Sequence, residues 1–340
     1  MAAYFARRFL LLIPTFLGIT FLVFTITQFV PGGPIEQMIL SMQSAGSESG
    51  GGVQQGAVEL SPEALAALNE HFNLDKPFYQ AYGIWLWDLL HFDLGESFKY
   101  NTPVSEVISD RFPISVYFGL IGFLLAYMVC IPLGVLKAVR HGSKFDMISS
   151  FVVFVGYSIP GFALGAVLLV LFGGGSFWDI VPLGGFRSPG WDDFSVWHKI
   201  TDQLHHTILP VIAYSVGSFA TLTVLMKNSL MENLGQDYVR TAFAKGLPER
   251  AVIVRHALRN SLIPVCTGLG HAIGLVMAGS YLVEKVFNIN GIGYLGYTSI
   301  VDRDYAVVMG ILVINTLLVL IGNILSDVLY VIVDPRIRFS

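Results

Sequence analysis

Stretches without any charged residue dominate the pattern of the chain. Six of them run for 20 residues or more without Asp, Glu, Lys or Arg: Phe9–Val30, Phe112–Leu136, Met147–Trp178, Thr207–Met226, Ser261–Val283 and Tyr305–Ser326. A helix needs about 20 apolar residues to cross the hydrocarbon core of a bilayer. Because backbone groups find no water partners there, helices are the structure expected for such runs. The pattern therefore predicts an all-α integral membrane protein with six transmembrane helices.

The intervals between the runs divide the chain into three regions. Residues 1–30 hold the N-terminal start and the first span, residues 31–111 form a long insertion, and residues 112–340 hold the other five spans. Within the insertion, "SAGSESGGGVQQGA" is small and polar, whereas Ser61 and Pro62 are typical of a helix start. "FYQAYGIWLWDLL" then predicts a segment that either lies along the membrane surface or packs as a helix on the bundle.

The composition agrees with a membrane protein. Hydrophobic residues make up 54% of the 340 residues and charged residues 13%, about half the charged share of a typical soluble domain. Cys130 and Cys266 both lie in apolar runs, so neither a disulfide nor a metal site is expected from them. The chain has no phosphate-cradling loop, and nothing in its sequence indicates nucleic acid as a partner.

The distribution of charge predicts the orientation in the membrane. With six spans both termini lie on one side, and if that side is the cytoplasm, 13 of the 20 Lys and Arg residues face it. Only six of the 24 acidic residues accompany them. Because cytoplasmic loops are enriched in Lys and Arg, we expect both termini and the loop at residues 227–260 to be cytoplasmic. The insertion after the first span is then periplasmic.

Few polar residues in the apolar runs are candidates for chemistry. His271 and Asp327 are ionisable groups in or beside spans, where such groups are functional candidates by default. Ser158, Asn315 and Asn323 are uncharged groups suited to line a path. A membrane-embedded hydrolase using His271 and Asp327 stays open as an alternative, although no nucleophile stands at a meaningful spacing. A channel or secondary carrier is a further alternative, but intramembrane charges are too few for a proton-driven cycle.

The loop at residues 227–260 carries the most specific pattern. "DYVRTAFAKGLPERAVIVRHALRN" holds the densest run of positive charge in the chain, which the orientation alone explains. Gln236–Lys245 predicts a short helix with several small side chains, and Gly246 suits the left-handed position after a helix. Pro248 suits the first turn of a second helix through "ERAVIVRHALRN". This arrangement is typical of a compact element that fits a groove of another protein.

The same loop resembles the cytoplasmic motif of ATP-binding-cassette (ABC) importer permeases, which is Glu-Ala-Ala, three residues, then Gly. Arg240-Thr241-Ala242 take the first three places and Gly246 the last, as in the peptide and nickel branch (the oligopeptide and dipeptide permease B group). The missing Glu removes one possible charged contact. "RRFLLLIPTFLGITFLVF", "FDLGESF", "GYSIPGF" and "YVIVDPRIRF" extend the resemblance over nearly the whole chain. "PGGPIEQ" and "GGSFWDIVPLGGFRS" are similar to the Yej-type permeases for microcin C and oligopeptides.

The resemblance implies a type I ABC importer transmembrane domain in the inner membrane, a transport subunit and not an enzyme. It implies a second homologous permease subunit, two ABC ATPase domains, a periplasmic peptide-binding protein and the lipid bilayer as partners. ATP and Mg belong to the ATPases, and no cofactor is expected in this chain. Oligopeptides of the microcin C type are the implied substrate, with dipeptides or nickel chelates as the alternative. The residues implied to contact the ATPase are Arg240, Thr241, Ala242, Phe243, Ala244, Lys245 and Gly246, in what we call the coupling loop (residues 227–260).

Overall fold

The structure is a computed structural model that describes residues 2–29, 76–175, 177–267 and 279–333. Within these ranges the chain is mainly helical, and it divides into two compact units. The first unit comprises Met1–Leu10, Arg111–Leu295 and Leu317–Ser340, and the second comprises Leu11–Asp110 and Gly296–Thr316.

The helices follow the apolar pattern of the sequence. In chain order they are α1 (Ala2–Phe29), α2 (Phe78–Leu90), α3 (Val104–Val139), α4 (Lys144–Ser158), α5 (Gly161–Phe172), α6 (Val196–Leu234), α7 (Asp237–Ala244), α8 (Glu249–Ala251), α9 (Leu258–Ser261), α10 (Ile263–Thr267), α11 (Tyr281–Val286), α12 (Ile292–Val301) and α13 (Tyr305–Val333). A 3-10 helix at Trp191–Asp193 precedes α6, and a π-helical segment at Val252–Ala257 joins α8 to α9.

Four helices are long and apolar enough to cross a membrane, namely α1, α3, α6 and α13. Helices α4 and α5 meet the same criterion together, although they are bent by 95° relative to each other. The described residues therefore account for up to five spans. Residues 268–278 of the predicted run Ser261–Val283 and residues 31–75 of the predicted insertion at residues 31–111 lie outside the described residues. The six-span count and the helical periplasmic insertion thus stay predictions.

The run Met147–Trp178, predicted as one span, is divided at Pro160. Pro160 has φ −56° and ψ 136°, and Ile159 before it is extended with ψ 120°, as expected for residues at and before a proline. Gly161 then lies so close to α6 that an added Cβ would stand 2.3 Å from the Ala213 carbonyl oxygen. The absence of a side chain at Gly161 therefore permits the bent arrangement.

Two hydrophobic clusters stabilise the first unit. The first joins α3, α6, α7, the π-helical segment and α10 through Ala138, Met226, Leu230, Val239, Ala242, Val252, Ile253, Ala257 and Val265. The second is formed by Phe118, Val181, Leu209, Val211, Ala213, Val283, Phe287 and Ile289. Beside the first cluster, a Cβ added to Gly134 would lie 2.6 Å from the Met226 Cβ. Helices α3 and α6 are therefore in close contact next to the coupling loop.

In the second unit, α2 packs against α1. The rings of Phe21 and Tyr82 meet edge to face with centroids 5.4 Å apart, an arrangement that aromatic pairs favour. The Tyr82 hydroxyl also lies 3.0 Å from Thr20 Oγ1. Tyr79 flanks this contact face and Trp87 lies opposite to it, and both are exposed. The helix predicted for "FYQAYGIWLWDLL" therefore packs on a candidate span by one face and leaves the other uncovered within this unit.

Candidate functional site

Helix α7 packs by one face against the rest of the first unit. It starts after Gln236, which is extended, and Asp237 in its first turn suits the positive end of the helix dipole. Val239 and Ala242 are three residues apart and so share a face. They are 0% and 5% exposed and belong to the first hydrophobic cluster. The contacts of these two side chains fix the rotation of α7 about its axis.

The end of α7 is a tight left-handed turn. Gly246 has φ +78°, a value that glycine adopts without the steric cost of a Cβ. The Gly246 N–H donates to the Phe243 carbonyl at 2.9 Å, and the Leu247 N–H donates to the Ala242 carbonyl at 3.4 Å. These two bonds form the Schellman motif. The prediction that Gly246 ends the helix is confirmed.

The second predicted helix begins at Glu249, one residue later than predicted. Pro248 lies one position before α8, and the chain then widens into the π-helical segment. The wider turn buries Val252, Ile253 and Ala257 together in the first hydrophobic cluster. The second helix predicted through "ERAVIVRHALRN" is therefore confirmed, and its middle part is π-helical.

Polar side chains tie α7 to the helices on either side of it. The Tyr238 hydroxyl donates to Asn233 Oδ1 of α6 at 2.7 Å, and Asn260 Nδ2 of α9 donates to the Tyr238 hydroxyl at 3.1 Å. Ser229 Oγ of α6 donates to the Ser261 carbonyl at 2.9 Å. The coupling loop is thus joined to the inner part of α6 by hydrogen bonds as well as by apolar packing.

The exposed side chains of α7 and its turn include an aromatic ring and positive charges. Phe243 is 45% exposed, and Arg240, Lys245 and Leu247 beside it are exposed as well. Arg240 Nη1 lies 3.5 Å from Asp237 Oδ1, but both groups are exposed and such pairs contribute little to stability. Further exposed cations of the loop are Arg250, Arg255 and Arg259. Together these side chains are suited to a partner surface that offers both apolar and acidic groups.

The structure places six of the seven predicted coupling residues on the surface. Arg240, Thr241, Phe243, Ala244, Lys245 and Gly246 are exposed. Ala242 is buried against α6 and the π-helical segment and therefore contacts its own chain. Its small size allows α7 to approach the first hydrophobic cluster closely, a role that the motif alone does not distinguish from contact with a partner.

The predicted path residues lie apart along the chain, and the structure describes four of the five. Ser158 ends α4 and donates to the Phe154 carbonyl at 2.9 Å. Asn315 belongs to the second unit and has a buried Oδ1 without a partner among the described residues. Asn323 is half-buried in the first unit. His271 lies outside the described residues.

Asp327, the fifth of these residues, forms an ion pair. Arg8 Nη2 donates to Asp327 Oδ1 at 3.2 Å, and Arg8 Nε lies 3.1 Å from Asp327 Oδ2, although Oδ2 accepts no hydrogen bond among the described residues. Both residues belong to the first unit. The contact ties the start of α1 to the last part of α13.

Glu284 is a buried carboxylate that the sequence analysis did not single out. Ser115 Oγ at 2.9 Å and the Tyr214 hydroxyl at 3.1 Å donate to it, as do the backbone N–H groups of Tyr294 at 2.6 Å and Ser280 at 3.3 Å. Burial raises the pKa of Glu284, and these four donors act in the opposite direction. The available signal was its position directly after a charge-free run.

Comparisons with known proteins agree with one another. A family model described as binding-protein-dependent transport system inner membrane component matches residues 130–339, which include α7 and its turn. The chain is 40% identical to the peptidoglycan transport system permease protein YejB of Agrobacterium fabrum, over 100% of this chain and 99% of the relative. It is also 40% identical to the inner membrane ABC transporter permease protein YejB of Escherichia coli O157:H7, with 100% of both chains covered. Identity to the oligopeptide transport system permease protein AppB of Bacillus subtilis is 38%, again over both full lengths.

Proposed function

The chain belongs to the family of binding-protein-dependent transport system inner membrane components, and on this premise we propose that it is the permease subunit of an ATP-driven oligopeptide importer. Relatives that cover the whole chain are named as transport permeases for peptidoglycan and for oligopeptides. Peptides of the microcin C type are the proposed substrate, with dipeptides or nickel chelates as the alternative. The chain itself moves the substrate, while ATP and Mg are bound and used by partner ATPases.

The proposed assembly contains this chain, a second homologous permease, two ABC ATPase domains and a periplasmic peptide-binding protein in the inner membrane. The excess of Lys and Arg in the coupling loop and at both termini supports cytoplasmic termini and a cytoplasmic coupling loop. In that orientation the exposed face of α7 points toward the compartment that holds ATP.

One observation carries the proposal, namely the two faces of α7. Val239 and Ala242 anchor the helix in the first unit, and Arg240, Phe243 and Lys245 are exposed. A helix held in this way transmits a force applied to its exposed face, because it cannot turn without disrupting the packing of Val239 and Ala242. We infer that closure of the ATPases displaces α7 and, through it, α6.

The residues of the translocation path are a separate part of the proposal. Ser158, His271, Asn315 and Asn323 are uncharged or weakly basic groups within apolar runs, where polar groups serve passing substrates. Asp327 belongs to the same set, although its ion pair with Arg8 supports an anchoring role for this carboxylate.

The proposal is tested with the chain expressed together with its transporter partners. Phe243→Ala and the double variant Arg240→Glu/Lys245→Glu should lose the ATPase during purification and abolish peptide uptake into proteoliposomes. Their melting temperatures should stay near that of the wild type, because the three side chains are exposed. Trp197→Ala, at another exposed aromatic residue, is the control and should keep the ATPase. Full ATPase retention and uptake in both α7 variants would rule out the coupling role.

A further inference from the structure

Three charged side chains meet where α3 ends, α4 begins and α6 passes. Lys137 lies in the last turn of α3, Asp146 in the first turn of α4, and Lys227 in the second half of α6. Each of the three directly flanks one of the charge-free runs of the sequence. We call this cluster of Lys137, Asp146 and Lys227 the two-lysine junction.

Both lysines bind the same aspartate. Lys227 Nζ lies 2.8 Å from Oδ1 and 2.7 Å from Oδ2 of Asp146. Lys137 Nζ lies 3.2 Å from Asp146 Oδ1 and donates to the Asp146 carbonyl at 2.9 Å. It also donates to Ser149 Oγ at 2.9 Å and to Ser150 Oγ at 2.6 Å. The Lys137 ammonium therefore contacts four oxygen atoms in the first turns of α4.

The junction is shielded from water. Lys137 is 1% exposed and Asp146 is 5% exposed, and the Gly142 N–H and His141 Nδ1 also lie within 3.1 Å and 3.3 Å of Asp146 Oδ2. The end of α3 suits a cation and the start of α4 suits an anion, because of the helix dipoles. Separating a buried ion pair leaves uncompensated charges, which is strongly unfavourable. The junction therefore opposes any movement of α6 away from α4.

The junction is continuous with the packing of the coupling loop. Lys227 directly follows Met226, and Leu230 lies one helical turn further on. Met226 and Leu230 are both fully buried in the first hydrophobic cluster, which also holds Val239 and Ala242 of α7. A displacement of α7 is thus passed to α6 by apolar contacts and from α6 to α4 by the lysine–aspartate pair.

We propose that Asp146, held by Lys227 and Lys137, is the positioning residue that passes the movement of α7 to the bent pair α4–α5. The proposal rests on the proposed function and adds the element that receives the movement. Loss of the junction leaves the exposed face of α7 unchanged, so the ATPase still binds and hydrolyses ATP. Hydrolysis is then no longer followed by the rearrangement that moves the peptide.

Lys227→Met is the sharpest variant, because Asp146 keeps Lys137 as a partner and no unpaired anion remains. In proteoliposomes holding the full transporter, the number of peptides taken up per ATP hydrolysed should fall about fivefold or more, the lower end of usual coupling between sites. Lys227→Arg should retain the wild-type ratio. Lys144→Met is the matched control, since Lys144 is an exposed lysine on α4, two residues before Asp146. Equal ratios in Lys227→Met and Lys144→Met overturn the proposal.

A distance measurement decides the question without altering the junction. Spin labels at the exposed positions Lys144 on α4 and Glu232 on α6 should keep one distance distribution in the nucleotide-free and ATP-bound transporter. A distance that changes with nucleotide overturns the proposal. This result does not depend on whether the Lys227→Met variant assembles. A wild-type transporter that hydrolyses ATP but takes up no peptide contradicts the proposed function instead, and the label distance then still tests the junction.

Discussion

Replacing Gly246 by valine should open the turn after α7 without pressing on any neighbouring side chain. A Cβ built at Gly246 meets no atom within 4 Å, so the effect comes from the backbone alone. Residue 246 has φ +78°, and an L-residue pays roughly 1–2 kcal/mol in that region. Valine lies at the upper end of this energy range because its Cβ is branched. A cost of this size lowers the ratio of closed to open turn by a factor of about 5–30.

Hydrogen exchange of the purified chain in nanodiscs measures the opening directly. The N–H groups of residues 246 and 247 donate to the Phe243 and Ala242 carbonyls only in the closed turn. Their exchange should be faster in Gly246→Val by the same factor of about 5–30. Gly246→Asn should exchange nearly like the wild type, because asparagine adopts the left-handed region at low cost. Peptide uptake should follow the same order of variants.

A matched control separates backbone strain from the role of this turn. Gly190 has φ +76° and, like Gly246, no atom within 4 Å of an added Cβ, but it lies outside the coupling loop. Gly190→Val should carry similar local strain and leave transport-linked ATP hydrolysis unchanged. If both valine variants lower transport equally, the coupling role of the Gly246 turn is refuted. Unchanged exchange in Gly246→Val refutes the strain argument itself.

Three further predictions concern stability, read as melting temperature in nanodiscs. Gly161→Ala should destabilise the chain by about 1–3 kcal/mol, because its Cβ would lie 2.3 Å from the Ala213 carbonyl oxygen. Folding raises the pKa of Glu284, so this group stabilises the folded chain fully at pH values below the ordinary carboxyl pKa of about 4.3. That stabilisation should be lost as the pH rises through the raised pKa, which lowers the melting temperature. Asp304→Ala should cost about 1–3 kcal/mol, because Asp304 accepts the Ser97 hydroxyl bond and caps α13.

Each of these predictions has its own control. Gly217→Ala on α6 adds a Cβ with no atom within 4 Å and should be neutral or stabilising by up to about 1 kcal/mol. Glu284→Gln should lose the part of the pH dependence that Glu284 causes; an identical slope in both chains contradicts the assignment. Asp302→Ala removes an exposed ion pair with Lys99, so a loss equal to that of Asp304→Ala would argue against the capping role.

Much of the helical framework follows from the charge-free runs. The runs Phe9–Val30, Phe112–Leu136, Thr207–Met226 and Tyr305–Ser326 correspond to α1, α3, α6 and α13. Helices α3 and α6 extend several residues past their runs at both ends. Backbone hydrogen bonding does not stop at a charged residue, and Lys137, Asp202 and Lys227 find partners in the structure. The runs therefore identify spans well and helix ends poorly.

The candidate site, too, could be predicted from the sequence only in part. Gly246 could be assigned from sequence because a left-handed helix end is a local backbone requirement that glycine meets best. The sequence did not show on which side of α7 Ala242 lies, because the motif Arg240-Thr241-Ala242 fixes only its position along the helix. Val239 and Ala242 face inward since Met226, Leu230 and Val252 surround them, and this packing depends on three separate segments.

By itself the sequence determined which segments are helical, where the tight turn after α7 lies and which family the chain resembles. These properties depend on run length, on the backbone preferences of glycine and proline, and on motifs of neighbouring residues. Tertiary structure alone decided the pairing of the charges at the ends of the runs. Lys227 meets Asp146 across 81 positions, and Ser115 meets Glu284 across 169. No local pattern encodes such pairs, because they form only when packed helices bring distant segments together and burial makes an unpaired charge unfavourable.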